Sequence, residues 1–109
     1  MNLYVDDQRP CPPGWVLART VDRAIELLAT GEVDVASLDH DIVYHTAVKI
    51  RGERVPIEVE APETFEAVAR YIARMPPDER PDVRFHTANA AGEAAMREIL
   101  RRAEAEDPA

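Results

Sequence analysis

Val33-Asp34-Val35-Ala36-Ser37-Leu38 runs directly into Asp39-His40-Asp41. A short aliphatic run of this kind suits a strand buried on both faces of a sheet. It ends on three ionisable side chains. The first apolar run of the chain, Asn2-Leu3-Tyr4-Val5, ends in the same manner on Asp6-Asp7. In an open α/β sheet the carboxyl ends of neighbouring parallel strands share one crevice, and ligands bind there. With the two runs side by side, Asp6, Asp7, Asp39 and Asp41 meet in one place. Carboxylates at such range repel, and a cluster of them persists where a cation sits among them. Oxygen donors select a hard cation, Mg²⁺ or Mn²⁺.

Outward from this stretch, the pattern alternates between strand and helix. On its N-terminal side, Val21, Ala24, Ile25 and Leu28 recur at helical spacing behind Thr20, an N-cap residue type, and Gly31 ends that helix. Trp15 to Ala18 reads as a further short strand, with Trp15 in the core. Gln8 to Gly14 carries Pro10, Pro12 and Pro13 and reads as a loop, which leaves no room for a helix between the first two strands. On its C-terminal side, Thr46 to Ile50 and Val55 to Val59 flank Arg51-Gly52-Glu53-Arg54 and predict a β-hairpin. Pro62 and Glu63 predict the start of a helix whose buried stripe is Phe65, Val68, Ala69 and Ile72. Val83-Arg84-Phe85 is a last short strand and leads into His86-Thr87-Ala88-Asn89. A final helix follows, with Ala95, Met96, Ile99, Leu100 and Ala103 on its apolar face, and Glu104 to Ala109 reads as a frayed tail.

Strands alternating with helices define an α/β class: a compact three-layer sandwich on a mostly parallel four-stranded sheet. Residues 1–109 read as one domain, with 42–62 as a hairpin insertion. A chain of 109 residues supports one modest core. A net charge of -8 argues against a general nucleic-acid-coating role and against an anionic membrane surface. No apolar run approaches the roughly 20 residues of a membrane span, and Asp6, Asp7 and Arg9 interrupt a signal peptide. The single cysteine, Cys11, excludes an internal disulfide and suits a reducing cytoplasm. Arginine with almost no lysine is the usage of a GC-rich, bacterial genome.

An acidic pair closing the first strand, an aspartate closing a middle strand and a hydroxyl residue closing a later one resemble the receiver domain of two-component signalling, of flavodoxin-like type. More closely, Asp6-Asp7-Gln8-Arg9-Pro10, Ser37-Leu38-Asp39-His40-Asp41 and His86-Thr87-Ala88-Asn89 resemble the divergent cyclic-phosphate processing receiver domains. That resemblance implies a metal held by Asp6 and Asp7, with Asp39 at the phosphoacceptor position and Thr87 contacting the phosphoryl group. It also implies a phosphate-containing substrate: a 2′,3′-cyclic phosphate end of RNA, in a repair setting. The chain departs from the receiver pattern in lacking the lysine that ends a fifth strand. Lys49, its only lysine, lies in the hairpin.

Residue chemistry adds further candidates. His40 and His86 titrate near neutrality and suit general acid and base work, although a lone histidine is also a common structural residue. Asp39 suits attack on phosphorus or orientation of a water. Arg9 either clamps a phosphate or pairs with Asp6 or Asp7. Asn89 either caps the final helix or binds substrate. His45 reads as surface. The reading that follows is a metal-dependent phosphoesterase. Its alternative is a non-enzymatic receiver-like module that accepts or senses phosphate and acts through a protein partner.

Overall fold

The computed structural model describes residues 1–107. Strands β1 (Asn2–Val5), β2 (Val16–Ala18), β3 (Val35–Leu38) and β6 (Asp82–Phe85) form one parallel sheet in the order β2-β1-β3-β6. A second, antiparallel sheet pairs β4 (Asp41–Ile50) with β5 (Glu53–Thr64). The helices are α1 (Val21–Leu28), α2 (Glu66–Arg74) and α3 (Ala90–Glu106), with a 3₁₀ turn over Pro77–Glu79. This is the mixed α/β architecture of a receiver, with the hairpin added. The order is the flavodoxin-like one, 2-1-3-4-5, without its fifth strand.

Register sets the chemistry of the sheet. Val5 lies beside Ala18 on one side and Leu38 on the other, and Leu38 lies beside Phe85. Leu3, Val5, Ala18, Ala36 and Leu38 share one face and pack with Val21, Ala24, Leu28, Val68, Ile72 and Met96 in a single core. Phe65 is fully buried within it. The helices form one row over this face, α1 against α2 and α2 against α3. Tyr4 and Ser37 alternate onto the opposite face, where Trp15 meets Tyr4 edge-on at 6.2 Å. Trp15 is half-buried and stands outside the core cluster. The chain has no helix between β1 and β2, the connection that would send one to this side. Parallel pairing of β1 with β2 rests instead on the proline-rich loop.

Local capping follows the sequence closely. The Thr20 hydroxyl accepts from the Arg23 amide at 3.1 Å, and Gly31 takes φ 75 just after α1. Two expectations shift. The helix predicted from Pro62 begins at Glu66, because β5 stays paired through Thr64, opposite Asp41. Cross-strand pairing there outweighs the local preference of Pro62-Glu63 for a helix start. The predicted frayed tail is helical through Glu106, and Arg80 holds Asp107 at 2.7 Å. Pro108 and Ala109 lie outside the described residues.

The hairpin runs longer than its two apolar runs alone suggest, from Asp41 to Thr64. Arg51 and Gly52 make its two-residue turn, both with positive φ, 52 and 84. Two such residues give the I′ twist that matches paired strands. Pro56 lies opposite Ala47 within the ladder. Proline cannot donate to a ladder, so it is tolerated only where its nitrogen faces an outer edge. The chain extends 63 × 28 × 20 Å, and the long axis reflects this arm. No described helix is long and apolar enough to cross a membrane.

Candidate functional site

The first strand ends in a tight turn whose hub is Asp6. Its side chain is 1% exposed. Oδ1 accepts from the backbone amides of Gln8 and Arg9, each at 2.8 Å. Oδ2 accepts from His86 Nε2 at 2.9 Å. Burial alone would push the Asp6 carboxyl up. The Arg9 and Gln8 amides and His86 outweigh it and hold the pKa below its ordinary value. Asp6 is therefore kept as a carboxylate in a nearly closed position.

Asp7 and Asp39 complete the cluster. One ligand oxygen from each of Asp6, Asp7 and Asp39 lies within 4.8 Å of the others. The β1–β3 register brings them together: Val5 pairs with Leu38, so the residues following each strand emerge side by side. The Asp39 amide donates to Val5 O at 2.9 Å, which extends that pairing by one step. Asp7 Oδ2 also accepts from the Val43 amide at 2.9 Å and ties the hairpin root to the crevice. Three hard oxygen donors at this spacing fit a Mg²⁺ or Mn²⁺ ion. Asp41 lines the same open crevice of about 190 Å³ but stands outside that triplet. Two depressions elsewhere, of about 270 Å³ each, hold no such ligand group among the described residues.

Two phosphate-type contacts are available at the rim. Thr87 and Arg9 both line the crevice. The Thr87 hydroxyl accepts from the Asn89 amide at 3.1 Å, which leaves its own proton free to donate. Arg9 lies 3.8 Å from Asp6 Oδ2 and donates to the His86 carbonyl. Of the two roles open to Arg9, pairing with Asp6 is the one seen, from a half-exposed position beside the crevice.

The histidines sit one layer back. His86 stacks flat on Tyr4, with ring centroids 4.2 Å apart. Its Nδ1 lies 2.7 Å from Ser37 Oγ. Asp6 can only accept, so Nε2 carries the hydrogen, and Nδ1 pairs with the Ser37 hydroxyl. His40 is buried, with Nδ1 2.7 Å from Asp41 Oδ1 and Nε2 2.8 Å from Glu66 Oε2. Burial would lower the His40 pKa, but hydrogen bonds and charges from Asp41 and Glu66 raise it above its ordinary value. The same contact, joined by Asn89, holds the Asp41 carboxyl low. Asn89 serves both roles of a brace. Its Oδ1 accepts from the Gly92 amide at 2.9 Å and caps α3, while Nδ2 donates to Asp41 at 3.0 Å.

Among residues outside the predicted set, Ser37, Glu66 and Tyr4 hold the histidines. Gly92 passes beneath His40 so closely that a Cβ there would lie 2.4 Å from the imidazole. A lone serine in an aliphatic strand was a usable signal for Ser37. Glu66 offered none, since only the tertiary fold brings it to His40.

A parallel sheet in receiver order, ending at its carboxyl edge in an acidic pair, a strand-end aspartate and a strand-end threonine, defines a receiver-type domain. The family model of the Cyclic-phosphate processing Receiver domain matches residues 1–102, and the chain belongs to that family. No curated protein and no solved structure matches the chain.

Proposed function

We propose that this receiver domain is a divalent-metal-dependent phosphoesterase of the cytoplasm, acting on cyclic phosphate ends of RNA in a repair setting. The observation that carries the reading is the convergence of Asp6, Asp7 and Asp39 on one open crevice. The family description supplies the link to cyclic phosphates. Asp6, Asp7 and Asp39 would hold Mg²⁺ or Mn²⁺, with Asp41 at the edge. When bound, such an ion polarises a phosphoryl oxygen and offsets developing negative charge.

The chain's own residues have separate tasks. Thr87 donates to a phosphoryl oxygen, and Arg9 swings from Asp6 to clamp another. Asp39 orients the attacking water or attacks phosphorus itself. Opening the ring forms one P–O bond and breaks another, and the ribose oxygen that leaves takes up a proton. His86 and His40 have both nitrogens engaged by protein partners. Their geometry favours orienting Asp6 and Asp41 over carrying a substrate proton. The low crevice exposure of Asp6 fits a ligand fixed before substrate arrives.

Asp39 at the phosphoacceptor position also favours a second reading, a phospho-accepting module that works through a protein partner. Turnover separates the two. RNA ending in a 2′,3′-cyclic phosphate is incubated with wild type and Asp39→Asn, with Mn²⁺ or with chelator, and its ends are analysed. Metal-dependent ring opening that vanishes in the variant supports the enzyme. Intact ends in every reaction, with phosphate trapped on Asp39 by a small phosphodonor, support the module instead.

A further inference from the structure

One proton of the proposed reaction has no donor among the residues assigned so far. Opening the ring needs a proton for the ribose oxygen, and His40 and His86 have both nitrogens engaged by protein partners. On the crevice wall, Gln8, Arg9 and Thr87 can hydrogen-bond to a substrate, but none surrenders a proton near neutrality. Imidazole is the side chain that gives and takes one there. The remaining histidine of the chain, His45, stands on the hairpin with its side chain 67% exposed.

Three contacts bring His45 to the crevice. Val43 lines the crevice, and His45 follows on the same face of β4, two residues or about 7 Å further out. Its cross-strand partner is Glu58, which lines the crevice from β5. Gln8, also on the wall, brings its side-chain nitrogen to 3.4 Å from His45 Nε2. The root of this strand is fixed as well. Asp7 holds the Val43 amide at 2.9 Å, and the ladder steps irregularly between Asp41 and Val43. A bulge of that kind re-aims the side chains beyond it.

Each ring nitrogen has its own surroundings. Nδ1 lies 3.8 Å from Glu58 Oε1, an ion-pair partner for the imidazolium. Glu60, opposite Val43, is the other acidic side chain on this stretch of the face. Nε2 meets the Gln8 amide, which suits either protonation state: its NH₂ donates to a bare nitrogen, and its carbonyl oxygen accepts from an N–H. Nε2 is thus the nitrogen on the side of the crevice wall, and Nδ1 the one beside a carboxylate.

We propose that His45 is the catalytic acid: its Nε2 proton passes to the ribose oxygen that leaves phosphorus. This role rests on the phosphoesterase reading above. As the oxygen of water bonds to phosphorus, the ribose P–O bond breaks. Its electron pair stays on the ribose oxygen, which takes the Nε2 proton. The proton of the water leaves by way of Asp39 to solvent, and the exposed His45 takes one back from solvent. The products are a ribose hydroxyl and a phosphomonoester. Gln8 and Glu58 act as positioning residues for the imidazole.

The test compares wild type with His45→Ala, both with Mn²⁺, on two substrates. One is RNA ending in a 2′,3′-cyclic phosphate. The other is bis(p-nitrophenyl) phosphate, whose leaving phenolate needs no proton. Ring opening should fall at least about 100-fold in the variant, the scale of general acid catalysis. Hydrolysis of the nitrophenyl ester should fall far less, and Mn²⁺ affinity by calorimetry should match wild type. Added imidazole should restore part of the lost ring opening, since the exposed position admits it. Ring opening equal to wild type overturns the proposal and leaves the phosphoesterase standing. A loss that imidazole fails to restore does the same, as does an equal loss on both substrates. A wild type that opens no ring overturns the phosphoesterase and this role together.

Discussion

His86 Nε2 lies 2.9 Å from the buried Oδ2 of Asp6, and the far side of the same ring lies 2.7 Å from the Ser37 hydroxyl. Asp6, the most buried carboxylate of the cluster, is thereby fixed by a chain that reaches the last strand of the sheet and returns to the middle one. Outer partners of this kind set the orientation of a ligand and are typically worth about 10–100-fold in metal affinity. His86→Ala should weaken Mn²⁺ binding by about that factor. It should also cost about 1–3 kcal/mol of stability, the expense of a buried acceptor left unpaired. Titration calorimetry and urea unfolding read the two effects. Equal Mn²⁺ affinity in wild type and variant would remove His86 from the account.

Asp7 has two jobs that substitution can divide. It offers an oxygen to the cluster and accepts the Val43 amide at 2.9 Å. Asp7→Asn keeps a carbonyl oxygen for that amide but removes the charge. Its urea midpoint should match wild type while Mn²⁺ affinity drops. Asp7→Ala should lose both, with stability lower by about 0.5–1.5 kcal/mol, the net worth of one hydrogen bond.

His40 gives stability a pH dependence of known sign. Its folded pKa is raised, since Asp41 and Glu66 outweigh the effect of burial. The folded chain therefore holds this proton more tightly than the unfolded chain, whose value is about 6.5. The contribution is fully present below about 6.5 and is lost as pH rises through the higher folded value. In chelator, the urea midpoint of wild type should fall between neutral and mildly alkaline pH. His40→Gln should flatten that decline. A wild-type profile with the same slope as the variant would contradict the clamp.

Gly92→Ala sets two effects against each other. Alanine is favoured over glycine within a helix by up to about 1 kcal/mol. The added Cβ would sit 2.4 Å from the His40 ring, which is buried and held by two carboxylates, so it cannot swing aside. Overpacking of this kind costs typically about 1–3 kcal/mol, so the net change should be destabilising. A thermal unfolding midpoint above wild type would show that the ring yields.

Much of this arrangement is legible in the residue order, for a physical reason. Short aliphatic runs ending in acids mark strand ends, and right-handed crossovers bring those ends together, so Asp6, Asp7 and Asp39 can be placed before any coordinates exist. Caps such as Thr20 and Asn89 are local and read equally well. What stays hidden is tertiary. Glu66 lies 26 residues from His40, and nothing near either residue announces their contact. Gly92 reads as a weak helix residue until the imidazole above it is seen. The start of α2 is misjudged because pairing of Thr64 with Asp41, set by the opposite strand, prevails over Pro62.

The most direct measurement is titration of Mn²⁺ into wild type, followed by calorimetry or by the metal's own spin resonance, beside Asp39→Asn. The account predicts one site per chain in wild type, lost or weakened at least about tenfold in the variant, with both proteins folded. No binding in wild type, or the same affinity in Asp39→Asn, would contradict the claim that this crevice is a cation site built to work on phosphate.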